Sequence, residues 1–192
     1  MEELTINAGV LHELLTGACV AVAGAKDTRA ALTAVQLTAK RDTVRATGTN
    51  GFKLAYGEYK LADMREYSFG VLLPATELKN VLTLLKTHKR DNITVSENGI
   101  FVVAGNVIAA TPLLSNYPNI DDIIPTEWAL PTGAGVPALS FDPVVLSDMA
   151  KIPNTSKRVS VYFNYEKFAN LAMWNNDSGV SWRYVFMRLK SA

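Results

Sequence analysis

The chain has 192 residues, 48% of them hydrophobic and 19% charged, and its formal net charge is +1. This composition excludes a disordered protein, and the length allows one large domain or two small ones, each with a hydrophobic core. The near-neutral charge neither favours nor excludes binding to nucleic acid, because acidic residues elsewhere can offset a basic surface.

Sequence features also limit the location of the protein and exclude several kinds of chemistry. No apolar run reaches the ~18–20 residues that span a bilayer, and the start Met-Glu-Glu lacks a basic signal-peptide region. Cys19, among small apolar neighbours, indicates a buried thiol in a reducing compartment, so we expect a soluble cytoplasmic protein. His12 and His88 are far apart, and neither metal-ligand spacing, a phosphate-binding loop nor a Ser/His/Asp order is present. We therefore expect no catalytic site, metal or cofactor.

The first third of the chain predicts a strand, a helix and three further strands. Apolar residues at helical spacing follow a first strand at Leu4–Ala8, and Gly24 is expected to end the helix. Three strands are predicted next, at Ala31–Ala39, Thr43–Thr47 and Phe52–Tyr59. Asn50-Gly51 predicts a tight hairpin turn between the last two, because Asn and Gly tolerate the positive φ that such a turn requires.

The same order recurs twice. The second repeat is predicted as a strand at Phe69–Leu73, a helix capped by Thr76, and strands at Asn92–Ser96, Ile100–Val103 and Val107–Leu113. Proline and glycine then mark Ser115–Val136 as a connector. The third repeat is predicted as a strand at Ala138–Phe141, a helix that starts at Asp142-Pro143, and strands at Arg158–Asn164, Phe168–Trp174 and Ser181–Leu189.

Three β-α-β-β-β repeats predict an α+β fold in which helices pack on one face of antiparallel sheets. One helix over three or four strands cannot bury both faces of a sheet, so two repeats are expected to pair into one domain. We assign residues 1–126 to a complete domain made of two repeats, and residues 127–192 to a half domain with a leading linker. The half domain leaves an open face, which predicts self-association.

Three motifs resemble the bacterial DNA polymerase III beta sliding clamp family. A-T-G-T-N-G-F-K-L-A at Ala46–Ala55 is similar to the family's A-T-D-G-H-R-L-A, with Asn50 in place of Asp and Phe52-Lys53 in place of His-Arg. Leu113–Pro125 resembles L-x-x-G-x-Y-P-D-Y-x-x-V-I-P, and Tyr184–Leu189 resembles V-M-P-M-R-L with a phenylalanine in place of the proline. The resemblance implies a DNA-clamp-like fold, in which residues 1–126 correspond to the family's middle domain and residues 127–192 to the second half of its last domain.

In that family the middle domain and the last strand form a groove for short linear peptides of DNA polymerases and other clamp-binding proteins. Carried over by the resemblance, the peptide-binding groove would consist of Leu32, Thr49, Gly51, Phe52, Lys53, Leu54, Pro118, Asp122, Ile123, Val185, Phe186, Met187 and Arg188. The aliphatic residues would give an adaptable pocket, Gly51 would admit a peptide backbone, and Lys53 and Arg188 would meet a peptide carboxylate or carbonyl. Alternatively, the aliphatic residues are ordinary strand core, and Phe52 and Phe186 fill the pocket.

The family's helices line a central hole and offer basic residues to phosphates without reading bases. By the resemblance, the DNA-facing residues would be Lys79, Lys86, Lys89, Arg90, Lys151, Lys157 and Arg158. The alternative is that these residues are solvated helix ends. Glu13 and the scarcity of basic residues on the first helix count against a uniformly basic lining.

The sequence therefore predicts a non-enzymatic, sliding-clamp-like processivity or docking factor. It would bind polymerase-type peptides and encircle duplex DNA as a homo-oligomer, in which two copies of the third repeat pair and two such dimers form a six-domain ring. The alternative is a non-encircling interaction module, or a decoy that binds clamp-binding peptides or blocks a full-length clamp. A third possibility is a β-rich scaffold of unrelated function.

Overall fold

The computed structural model describes residues 3–62, 66–121, 124, 142–156, 158–164 and 169–187. In chain order, the elements are β1 (Glu3–Asn7), α1 (Ala8–Cys19), β2 (Ala34–Arg41), β3 (Thr43–Thr49), β4 (Lys53–Lys60), β5 (Tyr67–Pro74), α2 (Leu78–Thr87), β6 (Asn92–Ser96), β7 (Ile100–Val103), β8 (Asn106–Ala109), α3 (Pro143–Met149), β9 (Ser160–Asn164), β10 (Ala169–Asn175) and β11 (Ser181–Met187). None of the helices in these ranges has the length and apolar character needed to cross a membrane.

This order confirms the predicted α+β class. A strand, a helix and three antiparallel strands occur twice in succession, and α3 is followed by three more antiparallel strands. The predicted strand at Ala138–Phe141 lies outside the described residues. The predicted start of α3 is confirmed, because the Asp142 carboxylate accepts a hydrogen bond of 2.8 Å from the Val144 amide and proline follows the cap.

The bounds of the first repeat differ from the prediction for local reasons. Helix α1 begins at Ala8, the residue that was predicted to end the strand, because the Asn7 side chain accepts hydrogen bonds from the next-turn amides of Gly9 and Val10. Strand β2 begins three residues later than predicted. The Leu32 amide donates to the Arg29 carbonyl at 2.9 Å, and this bond draws Ala30–Thr33 into a 3-10 turn.

The predicted cap of the second helix is wrong. Glu77, and not Thr76, occupies the position before α2, and no side chain caps this helix end. The Glu77 carboxylate instead accepts a hydrogen bond of 2.5 Å from the Thr111 amide. A tertiary contact with the segment after β8 has therefore replaced the local cap.

The strands form two antiparallel sheets, a four-stranded sheet in the order β1-β6-β7-β8 and a seven-stranded sheet in the order β5-β2-β3-β4-β11-β10-β9. The first two repeats exchange their first strands, since β1 pairs with β6 and β5 pairs with β2. The third repeat joins the first through β11, which pairs with β4. Residues of all three repeats therefore share the larger sheet.

Each face of the seven-stranded sheet covers a different apolar cluster. On one face, α1 packs on β2–β4 and against α2, within a main core that also includes side chains of β10, β11 and α3. On the opposite face, a second cluster contains Leu54, Tyr56, Ile120, Ala169, Leu171 and Val185. Side chains alternate along a strand, so each of β4 and β11 contributes to both clusters.

Candidate functional site

The turn between β3 and β4 is the centre of the candidate site. Gly51 has a φ of +91°, and the Asn50 side chain accepts hydrogen bonds from the amides of Phe52 and Lys53 at 2.9 and 3.0 Å. The Asn50 amide donates to the Lys53 carbonyl at 3.3 Å. The two central residues are therefore Gly51 and Phe52, one position later than predicted, and Asn50 serves as the residue that braces the turn.

The final strand lies beside this turn. Val185 is directly opposite Leu54 in the β4–β11 pair, and the Met187 amide donates a hydrogen bond of 3.2 Å to the Phe52 carbonyl. The structure thus brings together two segments that are more than 120 residues apart in the sequence. This adjacency is what the predicted groove requires.

Seven residues of the predicted groove line one small cavity, here called the turn cavity: Thr49, Gly51, Phe52, Lys53, Leu54, Val185 and Met187. Its volume is about 40 Å³. Leu54 and Val185 are buried, whereas Phe52 and Met187 are 68% and 43% exposed at its rim. The cavity is no larger than a small apolar group, and one of its rim residues, Met187, has a flexible side chain.

Other predicted groove residues lie elsewhere. Phe186 is 2% exposed, belongs to the main core and stacks on Tyr184 with ring centroids 5.7 Å apart. Leu32 is buried in the 3-10 turn, and Pro118 lines a separate cavity of about 420 Å³. Neither Phe52 nor Phe186 fills the turn cavity. Asp122, Ile123 and Arg188 lie outside the described residues.

Lys53 has an ion-pair partner that the prediction did not include. Its side chain is only 12% exposed, and its ammonium donates to the Asp148 carboxylate on α3 and, at 2.8 Å, to the Val20 carbonyl at the end of α1. Burial opposes ionisation of Asp148, but hydrogen bonds from Lys151 and Lys53 outweigh it and lower the pKa of this carboxyl. In this arrangement the Lys53 ammonium is not available to a peptide carboxylate.

Sequence reasoning missed a charged cluster on the same face of the sheet as the turn cavity. The Glu58 carboxylate accepts hydrogen bonds from Arg45 at 2.7 and 2.9 Å and from Arg183, and both guanidinium groups lie 5.3 Å from the centre of the Tyr56 ring. Arg45 also contacts Asp121 at 3.1 Å. A single charged residue among uncharged neighbours in β3 and in β11, Arg45 and Arg183, was the available signal, because Glu58 of β4 can share one face of the sheet with both.

The predicted DNA-facing residues are divided between several places. Lys79 and Lys86 are exposed on α2, and Lys89 and Arg90 are exposed just after it. Burial first, and then the charges of Lys89 and Lys86, lower the pKa of His12 on α1. The end of α2 therefore creates a positive potential beside α1.

The basic residues of the third repeat have different surroundings. The Lys151 ammonium lies 2.6 Å from the Asp148 carboxylate, although its side chain is 63% exposed. Arg158 is exposed and lines a cavity with Trp174 and Arg183, and Lys157 lies outside the described residues. The positive charge of Lys151 is thus partly neutralised where it was predicted to meet DNA.

Two further side chains, Glu13 and Cys19, have surroundings typical of residues that stabilise the fold. The Glu13 carboxylate on α1 accepts hydrogen bonds from Asn176 at 2.6 Å and from the Trp182 indole at 3.3 Å. These bonds link the first repeat to the third. Burial raises the pKa of the Cys19 thiol to about 11. Among the described residues, no group of three or more His, Cys, Asp or Glu side chains could hold a metal ion.

Comparison with known proteins gives one family and many similar folds. Residues 5–119 match the family described as DNA polymerase III beta subunit, central domain. Among curated proteins, none is similar to this chain in sequence. Over 99% of this chain and 67% of the other, the fold matches the DNA polymerase III subunit beta from Pseudomonas aeruginosa, with a TM-score of 0.84 and 14% identity.

Two other solved structures extend this comparison. A sliding clamp from Pseudomonas aeruginosa bound to griselimycin matches over 99% of this chain and 66% of its own, with a TM-score of 0.81 and 14% identity. The sliding clamp from Bacillus subtilis matches over 100% and 65%, with a TM-score of 0.80 and 17% identity. The chain thus spans 65–67% of the length of these clamps. The TM-scores show a common fold, and at identities this low the comparison shows the fold alone.

Proposed function

The chain belongs to the family of the DNA polymerase III beta subunit, central domain, and we propose that it is a non-enzymatic, clamp-like docking protein that binds short peptides of DNA polymerases and other partners. The observation that carries this proposal is the pairing of β4 with β11 beside the Gly51-Phe52 turn. This pairing creates an apolar cavity at the junction of two repeats, where a peptide side chain would be desolvated.

The chemistry of the turn cavity indicates what a partner must offer. Leu54 and Val185 supply a buried apolar floor, and Phe52 and Met187 supply an exposed apolar rim. A peptide with one or two aliphatic or aromatic side chains would gain most from burial there, because apolar area removed from water is the main favourable term. Gly51 has no side chain that would block the approach of a peptide backbone.

Griselimycin provides a direct test, because a solved Pseudomonas aeruginosa clamp binds it. In isothermal titration calorimetry, we expect the wild-type chain to bind griselimycin and the variants Phe52→Glu and Met187→Glu to bind at least about tenfold more weakly, because each places a charge that must be desolvated. Val107→Glu is the matched control, since Val107 and Phe52 are each 68% exposed and Val107 lies on β8. Absence of binding to the wild-type chain, or an equal loss in the Val107 variant, contradicts the proposal.

We further propose that the protein assembles as a homo-oligomer and contacts duplex DNA without reading its sequence. Lys79, Lys86, Lys89 and Arg90 would meet phosphates, and Lys151, Lys157 and Arg158 would extend this surface in the assembly. Val144 and Leu146 are 61% and 38% exposed on α3, so a second copy of the third repeat would cover them. A stable monomer in sedimentation at micromolar concentration would contradict the assembly.

The alternative proposal is a module that binds clamp-binding peptides, or blocks a full-length clamp, without encircling DNA. The ion pair between Lys151 and Asp148 favours this alternative, because it weakens one of the predicted phosphate contacts. Closed circular DNA distinguishes the two proposals. A ring remains on the closed circle and is released when the circle is cut, whereas a docking module binds griselimycin and is not retained on either form.

A further inference from the structure

Helix α3 contacts both strands that build the turn cavity, from the face of the sheet opposite to that cavity. Lys53 at the start of β4 donates to Asp148 on α3. The Tyr184 hydroxyl on β11 donates to the Val145 carbonyl of the same helix at 2.9 Å. The seven-residue helix α3 is therefore hydrogen-bonded to both strands of the β4–β11 pair.

The bond between Lys53 and Asp148 is almost fully removed from solvent. The two side chains are 12% and 10% exposed, and the Lys53 ammonium has a second acceptor in the Val20 carbonyl. Buried ion pairs often contribute little net stability compared with apolar side chains, and in some proteins they restrict the chain to one arrangement. Loss of one partner leaves the other charge buried without compensation.

Lys53 occupies a position from which this geometry reaches the cavity. It lies between Phe52 and Leu54, which both line the turn cavity, and its backbone closes the turn through Asn50. The Phe52 carbonyl in turn accepts a hydrogen bond from the Met187 amide. A shift of the Lys53 side chain would therefore move the rim residues Phe52 and Met187 together.

We propose that Asp148 is a positioning residue for the turn cavity, which acts through Lys53 to hold the Gly51-Phe52 turn in the arrangement that accepts a peptide. This inference rests on the proposed peptide binding. It gives Lys53 a task other than contact with the peptide, and it makes the third repeat a part of the site even where α3 does not touch the ligand.

The test combines local amide exchange with griselimycin binding in the full chain. In Asp148→Asn, which keeps a side-chain oxygen of similar size but loses the charge, we expect exchange of the Phe52, Lys53 and Met187 amides to accelerate about tenfold and griselimycin affinity to fall about tenfold. Asp148→Glu restores part of both, because it restores the carboxylate. Asp177→Asn, the same change at an exposed turn of the third repeat, leaves both at wild-type values.

Amides of β6 and β7 separate positioning from general destabilisation, because they lie in the other sheet. Faster exchange at the turn with unchanged exchange at β6 and β7 supports positioning. Equal acceleration in both sheets, or wild-type exchange and affinity in Asp148→Asn, overturns it. If the wild-type chain binds no griselimycin but Asp148→Asn still loosens the turn alone, the proposed peptide binding fails and the hold of Asp148 on the turn stands.

Discussion

The first two repeats and the third repeat follow the same order of elements but are stabilised differently. In the first two, α1 and α2 pack on each other, and residues such as Leu11, Leu14 and Leu85 are fully buried. In the third, the described helix α3 has seven residues and leaves Val144 and Leu146 exposed. The first two repeats pack their helices against each other, whereas the third repeat joins the same core through side chains of β10, β11 and α3.

Trp182 adds a side-chain contact to the β4–β11 pairing between the third repeat and the first. Its side chain is 1% exposed, and its ring occupies space that exists because Gly17 on α1 and Gly57 on β4 lack side chains. A Cβ atom at Gly17 would lie 2.1 Å from the ring, closer than atoms can approach. The indole nitrogen also donates to Glu13. The order of the third repeat therefore depends on two glycines that belong to the first.

The largest effect on the contact between the third repeat and the first is expected from the substitution Gly17→Ala. Alanine favours a helix by about 1 kcal/mol, but the clash with Trp182 outweighs that gain, and we expect the free energy of unfolding to fall by about 3 kcal/mol. All three tryptophans lie outside the first two repeats. Tryptophan fluorescence should therefore change at a lower urea concentration than far-UV circular dichroism, to which all three repeats contribute. Gly24→Ala is the control, since no atom lies within 4 Å of the added carbon. Wild-type stability in Gly17→Ala would show that the third repeat is ordered by other contacts.

A smaller effect is expected from Glu58→Gln, which weakens the bonds between Glu58 and the two arginines. Arg183 belongs to the third repeat and Arg45 to the first, so this change should lower the free energy of unfolding at pH 7 by about 2 kcal/mol. Burial opposes ionisation of Glu58, but hydrogen bonds and charges from Arg45 and Arg183 lower its pKa overall.

The contribution of Glu58 to the free energy of unfolding should depend on pH. A carboxyl with a lowered pKa in the folded state adds stability above the unfolded value of about 4.3, and this stability is lost as the pH falls through the folded pKa. Urea unfolding should thus show a smaller loss on acidification in Glu58→Gln than in the wild-type chain. The exposed Glu3→Gln serves as control. Parallel acid profiles for Glu58→Gln and the wild-type chain would contradict this role of the cluster.

The smallest effect on stability is expected from replacing a glycine of positive φ in the first repeat or in the third. Gly51 and Gly179 have φ values of +91° and +84°, so Gly51→Ala and Gly179→Ala should each lower the free energy of unfolding by about 1 kcal/mol. Only the Gly51 variant should weaken griselimycin binding in calorimetry, because Gly51 lines the turn cavity. Equal loss of binding in both variants would mean that strain anywhere near the repeat junction affects the site.

Much of the fold could be predicted because local signals and packing agree. The strands Asn92–Ser96 and Ile100–Val103 have the predicted bounds, since turn residues on both sides leave no other register. The start of β2 was misplaced because a local 3-10 turn at Leu32 precedes it, and the cap of α2 was misplaced because the tertiary contact between Glu77 and Thr111 overrides local preference.

The candidate site was harder to predict than the fold. Alternation along β11 places Val185 and Met187 on one face and Phe186 on the other, so the strand pattern alone separates Phe186 from the cavity. The role of Lys53 had no sequence signal, because its partner Asp148 is 95 residues away. The resemblance pointed to the neighbourhood of the candidate site, and the contacts of α3 were needed to see which side chains there already have partners.

The exchange of first strands between the first two repeats has a consequence for how the chain is made. Glu3–Asn7 is synthesised before its pairing partner, Asn92–Ser96. On the ribosome, this strand must stay unpaired while the more than 80 residues that separate the two segments emerge. The strand is thus completed late, and neither repeat can finish folding until the other has been synthesised.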